Sequence, residues 1–254
     1  VKTVLSIAGS DPSGGAGIQV DLMTFHSVGV HGVTAITAVT SQNEKRFYSL
    51  NPVSSRLLRE QLQAITAVHR IDAIKIGVLG TEENVFAVYR FLDQLKAQYK
   101  DKDKIPKIVL DPVFKSSTGA LLIDPKGMAI LTQFLVPLVT LVTPNLDEAE
   151  AMSKMKVRSE NDMREAALHI HTVCKGVKAV LIKGGHLKDD YVDVLFDGKD
   201  WTVFPSRRKF VRGAHGTGCA LSAAIAAHLA RGYSIEKSIE RSKEFVSDYI
   251  RARV

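Results

Sequence analysis

Near its C-terminal end the chain reads Gly213-Ala214-His215-Gly216-Thr217-Gly218-Cys219-Ala220 and runs straight into an Ala-rich helical stretch over 221–227. Glycines allow positive φ and let a ligand approach the backbone closely. A helix starting behind such a turn offers unpaired N–H groups and the positive end of its dipole, a setting suited to phosphate. Cys219 stands where that field is strongest, so its thiol is expected to have a lowered pKa and to act as base or nucleophile. The same residues also fit a plain strand-to-helix turn followed by a buried cysteine. The stretch is not a Walker motif, because no Gly-Lys-Ser/Thr follows, and it lacks the glycine spacing of the dinucleotide fingerprint.

Other polar residues stand at the ends of apolar runs. Asn145 and Glu148 are three apart at a helix start, so one helical face presents an amide and a carboxylate together. Oxygen ligands of that kind hold Mg²⁺, with substrate phosphates completing its shell; a surface Glu stabilising the helix start is the plainer reading. Lys183 follows Ala179-Val180-Leu181-Ile182 and can pair with a phosphate as a point charge, or serve as a surface lysine. Gln42 can donate and accept at once, which suits the edge of a heterocycle, or it can sit in a solvated turn. His186 and His215 lie beside glycine turns, and neither is assigned as a base. An anion hole, a lysine and a metal-holding carboxylate together suit phosphoryl transfer, with a nearby base to take a proton from an alcohol.

Bulk properties narrow the classes. The chain has 254 residues, 45% apolar and 24% charged, and a formal charge of +7, which fits a soluble globular protein with anionic ligands. No dense Lys/Arg block with interleaved aromatics points to nucleic acid. The two cysteines, Cys174 and Cys219, form no metal or disulfide pattern. No apolar run approaches a membrane span, and the chain opens on a strand without a signal peptide, so a cytoplasmic location is expected.

The elements that must position these residues alternate along the chain. Strands are predicted over 3–8, 34–41, 73–76, 108–110, 138–142 and 179–182. Helical periodicity follows over 18–25, 54–68, 81–99, from about Pro125, 161–175, after Cys219, and from Ser234 to about Ile250. Ser159 and Asp162 resemble a capping box, and Asp197-Gly198 between 191–196 and 201–204 reads as a hairpin. Such β–α alternation without a linker predicts one doubly wound α/β domain over 1–254, mostly parallel and flanked by helices. The strand exits then deliver Gly9, Gln42, Asp111, Asn145 and Lys183 to one edge of the sheet, where open parallel sheets bind ligands.

The stretch from Ala8 to Gln19 (Ala-Gly-Ser-Asp-Pro-Ser-Gly-Gly-Ala-Gly-Ile-Gln), with Asp21, closely resembles the N-terminal signature of hydroxymethylpyrimidine/phosphomethylpyrimidine kinases, ribokinase-like enzymes of thiamine biosynthesis. Lys75-Ile76-Gly77, Asp111-Pro112-Val113, Thr143-Pro144-Asn145-Leu146 with Glu148-Ala149, Lys183-Gly184-Gly185-His186 and His215-Gly216-Thr217-Gly218-Cys219 match in the same order. The resemblance spans nearly the whole chain. It implies a ribokinase-like fold and two ATP-dependent steps at one site, from 4-amino-5-hydroxymethyl-2-methylpyrimidine to the monophosphate and then the diphosphate.

By motif, the resemblance implies that Gly9, Asp21, Gln42, Val78 and Val113 line the pyrimidine pocket, with Gln42 on the aminopyrimidine edge. Lys183 and Thr217 would contact the ATP phosphates, and Asn145 and Glu148 would hold Mg²⁺. Gly216 and Gly218 would supply the anion hole, and Cys219 would deprotonate the hydroxymethyl group. Relatives also lead to the expectation of a homodimer, with no nucleic-acid or membrane partner. Two departures stand out: Phe114-Lys115-Ser116-Ser117-Thr118-Gly119 replaces the usual Met and Ala-Lys-Ser/Gly-Gly-like stretch, and the Gly-rich tail common in relatives is missing before Val254. The competing readings are a pyridoxal or pyridoxine kinase of the same superfamily, against which Gln42 argues, and a non-catalytic pyrimidine sensor, against which Cys219, Lys183 and Glu148 argue.

Overall fold

Residue alternation along the strands builds the molecule. The computed structural model describes residues 1–43, 45–116, 119–185, 192–205 and 216–251. Its strands are β1 (Thr3–Ser10), β2 (His31–Gln42), β3 (Phe47–Pro52), β4 (Ala73–Ile76), β5 (Lys107–Leu110), β6 (Leu141–Val142), β7 (Ala179–Lys183), β8 (Val192–Phe196) and β9 (Trp201–Pro205). They form one sheet in the order β3-β2-β1-β4-β5-β6-β7-β8-β9. The six strands from β2 to β7 across the middle run parallel, and β3, β8 and β9 are antiparallel additions at the two sides.

The central strands are apolar on both faces, as a parallel sheet covered on both sides requires. Leu5, Ile7, Ile74, Ile76, Ile108, Leu110, Val180 and Ile182 pack into one cluster with helices α2 (Ser55–Thr66), α3 (Glu82–Ala97), α5 (Leu146–Ser153) and α6 (Glu160–Val173). Their alternates Val4, Ala73, Val109, Leu141, Ala179 and Leu181 pack on the other face with α1 (Gly17–Val28), α7 (Thr217–Ala230) and α8 (Ile235–Arg251). The short α4 (Pro125–Ile130) is capped by Asp124, with Pro125 in its first turn. The predicted Ser159–Asp162 capping box is reciprocal, Ser234 accepts from the Lys237 amide at the start of α8, and Ser54 accepts from the Leu57 amide at the start of α2.

The structure departs from the sequence expectation in two places. The predicted strand over 138–142 shrinks to Leu141–Val142, because the chain before it is wound into a π turn (Leu131–Leu135) and a 3₁₀ turn (Val136–Leu138). Strand β3 is an addition; its signal is Asn43, whose side-chain oxygen accepts from the amides of Lys45 and Arg46 and turns the chain back. The hairpin turns at Asp197-Gly198, where Asp197 accepts from the Lys199 and Asp200 amides, but Tyr191, its predicted first residue, lies outside the described residues. So do His186, His215 and the start of the glycine motif before Gly216.

Candidate active site

The carboxyl ends of β1, β2, β4, β5, β6 and β7 open into a cavity of about 170 Å³. Gly9, Gln42, Val78, Val113, Asn145, Glu148, Lys183, Gly216, Gly218 and Cys219 all line it. Residues brought from six strand ends and one helix therefore share one volume, as the strand-exit pattern predicts.

Two glycine turns meet at its floor. Gly216 caps α7 in the left-handed conformation, with φ of 84° and no side-chain cap. A β-carbon there would collide with the carbonyl oxygen of Gly15, and one on Gly17 with that of Gly9. Glycine at these positions lets the loop after β1 and the start of α7 interlock. The helix's first bond runs from the Ala220 amide to Gly216 oxygen, so the amides of 217–219 have no acceptor within the helix. With no side-chain cap and with Gly216, Gly218 and Cys219 in the cavity wall, this helix start turns unpaired amides towards the cavity, the kind of setting that suits an anion.

Lys183 crosses in front of it. Its Nζ is 2.7 Å from Asp111 Oδ1, and Asp111 also accepts from Ser222 Oγ at 3.3 Å and from Thr143 Oγ1 at 3.4 Å. A β-carbon added to Gly218 would lie 3.6 Å from Lys183 Nζ, which places the ammonium beside the start of α7. Burial opposes the charge on both partners, yet each stabilises the other: Lys183 and Lys75 hold Asp111 below its ordinary pKa, and Asp111 and Glu148 hold Lys183 above its own.

Asn145 and Glu148 form a reciprocal capping box on α5. Asn145 Oδ1 accepts from the Glu148 amide at 2.9 Å, and Glu148 Oε2 accepts from the Asn145 amide at 2.8 Å. Glu148 is buried rather than a surface residue. Burial raises its pKa to about 7, with Lys183 lowering and Asp111 raising it. A cation arriving in the cavity would therefore meet a carboxyl group ready to give up its proton near neutral pH.

Val78 is set by a buried hub. Thr37 Oγ1 donates to Val78 oxygen at 2.5 Å, and Asn84 Nδ2 donates to the carbonyls of Thr37, Val53 and Leu79. This ties β2, the exit of β4 and the start of α3 together at the cavity wall.

Two expectations need correction. Asp21 does not line the cavity: its fully buried carboxylate is bound by Lys75 Nζ at 2.9 Å and by Ser6 Oγ at 2.5 Å. The neighbours of Thr217 on both sides, Gly216 and Gly218, line the cavity. The Cys219 thiol is raised, not lowered. Enclosure by the protein is the largest cause, Lys75 works against it, Asp111 and Asp21 add to it, and the Gly17 amide donating to the sulfur lowers it. The thiol thus holds its proton in the ligand-free protein.

Sequence reasoning assigns no role to Asp111 beyond its place at a strand exit and none to Lys75, and both line the cavity. The signal for Asp111 is an acid at the end of a parallel strand. The signal for Lys75 is a charge inside the apolar run Ala73-Ile74-Lys75-Ile76, where only a buried partner accommodates it.

Comparison with known proteins gives the family. Residues 11–254 match the family model described as phosphomethylpyrimidine kinase. The hydroxymethylpyrimidine/phosphomethylpyrimidine kinase of Aquifex aeolicus is 38% identical over 97% of this chain and 93% of its own. The crystal structure of phosphomethylpyrimidine kinase from Clostridium difficile superposes with a TM-score of 0.84 at 33% identity, covering 98% of this chain and 100% of that one. The pyridoxal kinase of Staphylococcus aureus, solved with pyridoxal, gives 0.83 at 34% identity over 97% and 86%. With its ribokinase-like sheet and a match over nearly its whole length, the chain is a phosphotransferase using ATP and belongs to the phosphomethylpyrimidine kinase family.

Proposed function

We propose that this cavity phosphorylates 4-amino-5-hydroxymethyl-2-methylpyrimidine and then its monophosphate, in thiamine biosynthesis, with Mg-ATP as donor. The observation that carries the reading is a cavity that brings Gln42 together with the uncapped start of α7, Cys219 and Lys183. Gln42 offers both a donor and an acceptor to the aminopyrimidine edge, and Gly9, Val78 and Val113 give the ring apolar and backbone walls. Asp21 has no place in that contact and acts from behind the wall.

In the first step the hydroxymethyl oxygen attacks the γ-phosphorus of ATP. The Cys219 thiol first releases its proton to solvent; the new O–P bond then forms, the bond to the β–γ bridging oxygen breaks, ADP leaves with the electron pair, and the hydroxyl proton passes to the Cys219 thiolate. Lys183 and the α7 amides hold the phosphates and absorb the charge that develops. Thr217, at the first position of α7, contributes its amide. In the second step the attacking oxygen belongs to a phosphate ester and is already ionised near neutral pH, so no base is required.

Among the described residues no cluster of three His, Cys, Asp or Glu could hold a metal by itself. Mg²⁺ takes one or two protein carboxylates and completes its shell with phosphates and water. Glu148 and Asn145 are the residues that would hold it. Bound there, Mg²⁺ supplies neutralisation of the phosphate charge.

ADP release with Mg-ATP and the hydroxymethylpyrimidine, with products weighed by mass spectrometry, tests the reading; both mono- and diphosphate are expected. The likeness to the S. aureus pyridoxal kinase supports a second reading, and a higher kcat/KM on pyridoxal than on the pyrimidine would favour it. The resemblance also supports a homodimer in the cytoplasm, which light scattering tests for the oligomer by a mass twice that of the 27.8 kDa chain.

A further inference from the structure

A fully buried lysine side chain forms part of the cavity wall, in an otherwise apolar strand. Lys75 shares the face of β4 with Ala73, the side covered by α1 and α7. Ser6, its neighbour on β1 by register, points to the same place. Both Asp21 oxygens lie 2.9 Å from Lys75 Nζ, and Ser6 Oγ holds one of them. Gly77 leaves the room: a β-carbon there would lie 3.0 Å from Lys75 Nζ. Burial of this kind is costly for an ammonium group and calls for a role.

The role is legible in what surrounds the thiol. Lys75 and Cys219 both line the cavity. The charged groups that face Cys219 are Lys75 from β4, Asp111 from the end of β5, Lys183 from β7 and Asp21 from α1. The Gly17 amide, one turn before Asp21 on α1, donates to the sulfur. Helix α1 therefore holds the sulfur with its first amide and the lysine with the next turn. Lys183 is held by Asp111 at the phosphate end, and Lys75, held by Asp21, is the cation that favours the charged sulfur.

We propose that Lys75, held in place by Asp21 and Ser6, is a positioning residue that supplies the counter-charge for the Cys219 thiolate when it forms. It rests on the reading of Cys219 as the base, and it goes beyond that reading by naming what lets a proton-holding thiol take on that work. Lys75 attracts the negative sulfur, while Asp21 keeps Lys75 charged and fixed. Because Asp21 also repels the thiolate, the pair is arranged with the ammonium towards the cavity and the carboxylate behind it.

The test is alkylation of Cys219 by iodoacetamide across pH in the ligand-free protein, read on the Cys219 peptide by mass spectrometry so that Cys174 does not contribute. Lys75→Met leaves Asp21 unpaired in the core and can fail to fold. The double variant Lys75→Met with Asp21→Asn, which removes both charges and keeps the shapes, carries the decision. Its alkylation profile should move to higher pH, with the rate at neutral pH falling roughly threefold or more, a fraction of the one to three pKa units a nearby opposite charge commands. Lys75→Arg should keep the wild-type profile if it folds. In turnover, the alkaline shift should appear in kcat for the first phosphorylation, with KM for ATP unchanged. An unmoved Cys219 profile in the folded double variant overturns the proposal. Undiminished turnover in Cys219→Ala would instead overturn the base reading, and the alkylation profile would still report on Lys75 separately.

Discussion

At the scale of the residue, the thiol and the lysine divide the chemistry between them. Cys219→Ala should lower kcat for formation of the monophosphate by ~10²-fold or more, the usual contribution of general-base catalysis, with KM for ATP changed little. The same variant, given the monophosphate as substrate, should keep most of its rate, because that oxygen has no proton to lose; assaying the two steps separately checks the contrast. Lys183→Met should act differently, weakening Mg-ATP binding and slowing both steps, since both transfer a phosphate past the same ammonium. Most of these residues are readable from the sequence, because strand exits announce themselves by Gly, Asp, Asn and Lys after apolar runs. The sign of the Cys219 shift is not. The helix start argues for a lowered thiol pKa, but enclosure and the carboxylates of Asp111 and Asp21 prevail, and those come from elements far away in sequence. Asp21 escapes for a related reason: a signature shows that a residue belongs with a site, not whether its side chain faces the ligand or the core.

Elements hold the site by interlocking. Helix α7 begins at a residue that must be glycine twice over, for its φ of 84° and for the carbonyl oxygen of Gly15 against it. Gly216→Ala should therefore cost ~1–3 kcal/mol, the range for a non-glycine residue forced into such a backbone, and should abolish turnover as the loop after β1 is pushed off the helix start. Chemical denaturation and the coupled ADP assay check the two halves of that expectation. Asn145→Ala should cost ~1 kcal/mol by loss of the α5 cap and free Glu148 from its reciprocal bond. The helices, their caps and the parallel strands follow from local pattern. Strand β3 does not, because its pairing with β2 depends on a turn whose sequence mark is the Asn43 side chain. Strand β6 is shorter than its apolar run suggests, because residues 138–140 lie in the 3₁₀ turn and the approach that precede it.

At the scale of the whole molecule, one sheet gathers groups separated by more than 200 residues, from Gly9 to Cys219, into a single cavity. Its stability has an acid limit written in the second core. His228, buried in α7, is pressed down to about 4 by burial and by Arg231 and Arg241. Above pH ~6.5 it is neutral whether the chain is folded or not. As pH falls from there towards 4, the unfolded chain takes up the proton first and folding stability is lost, by at most ~1.4 kcal/mol per pH unit. His228→Gln should flatten that loss, as thermal unfolding from pH 7 to pH 4.5 would show. The central claim is that one cavity performs two transfers. The most direct measurement is a time course of the purified protein with Mg-ATP and 4-amino-5-hydroxymethyl-2-methylpyrimidine, with every product resolved by mass and ADP counted. Two transfers in one cavity predict monophosphate first, diphosphate after it, and one ADP for each phosphate transferred. Binding of the pyrimidine without ADP, or a monophosphate that never advances, would contradict it.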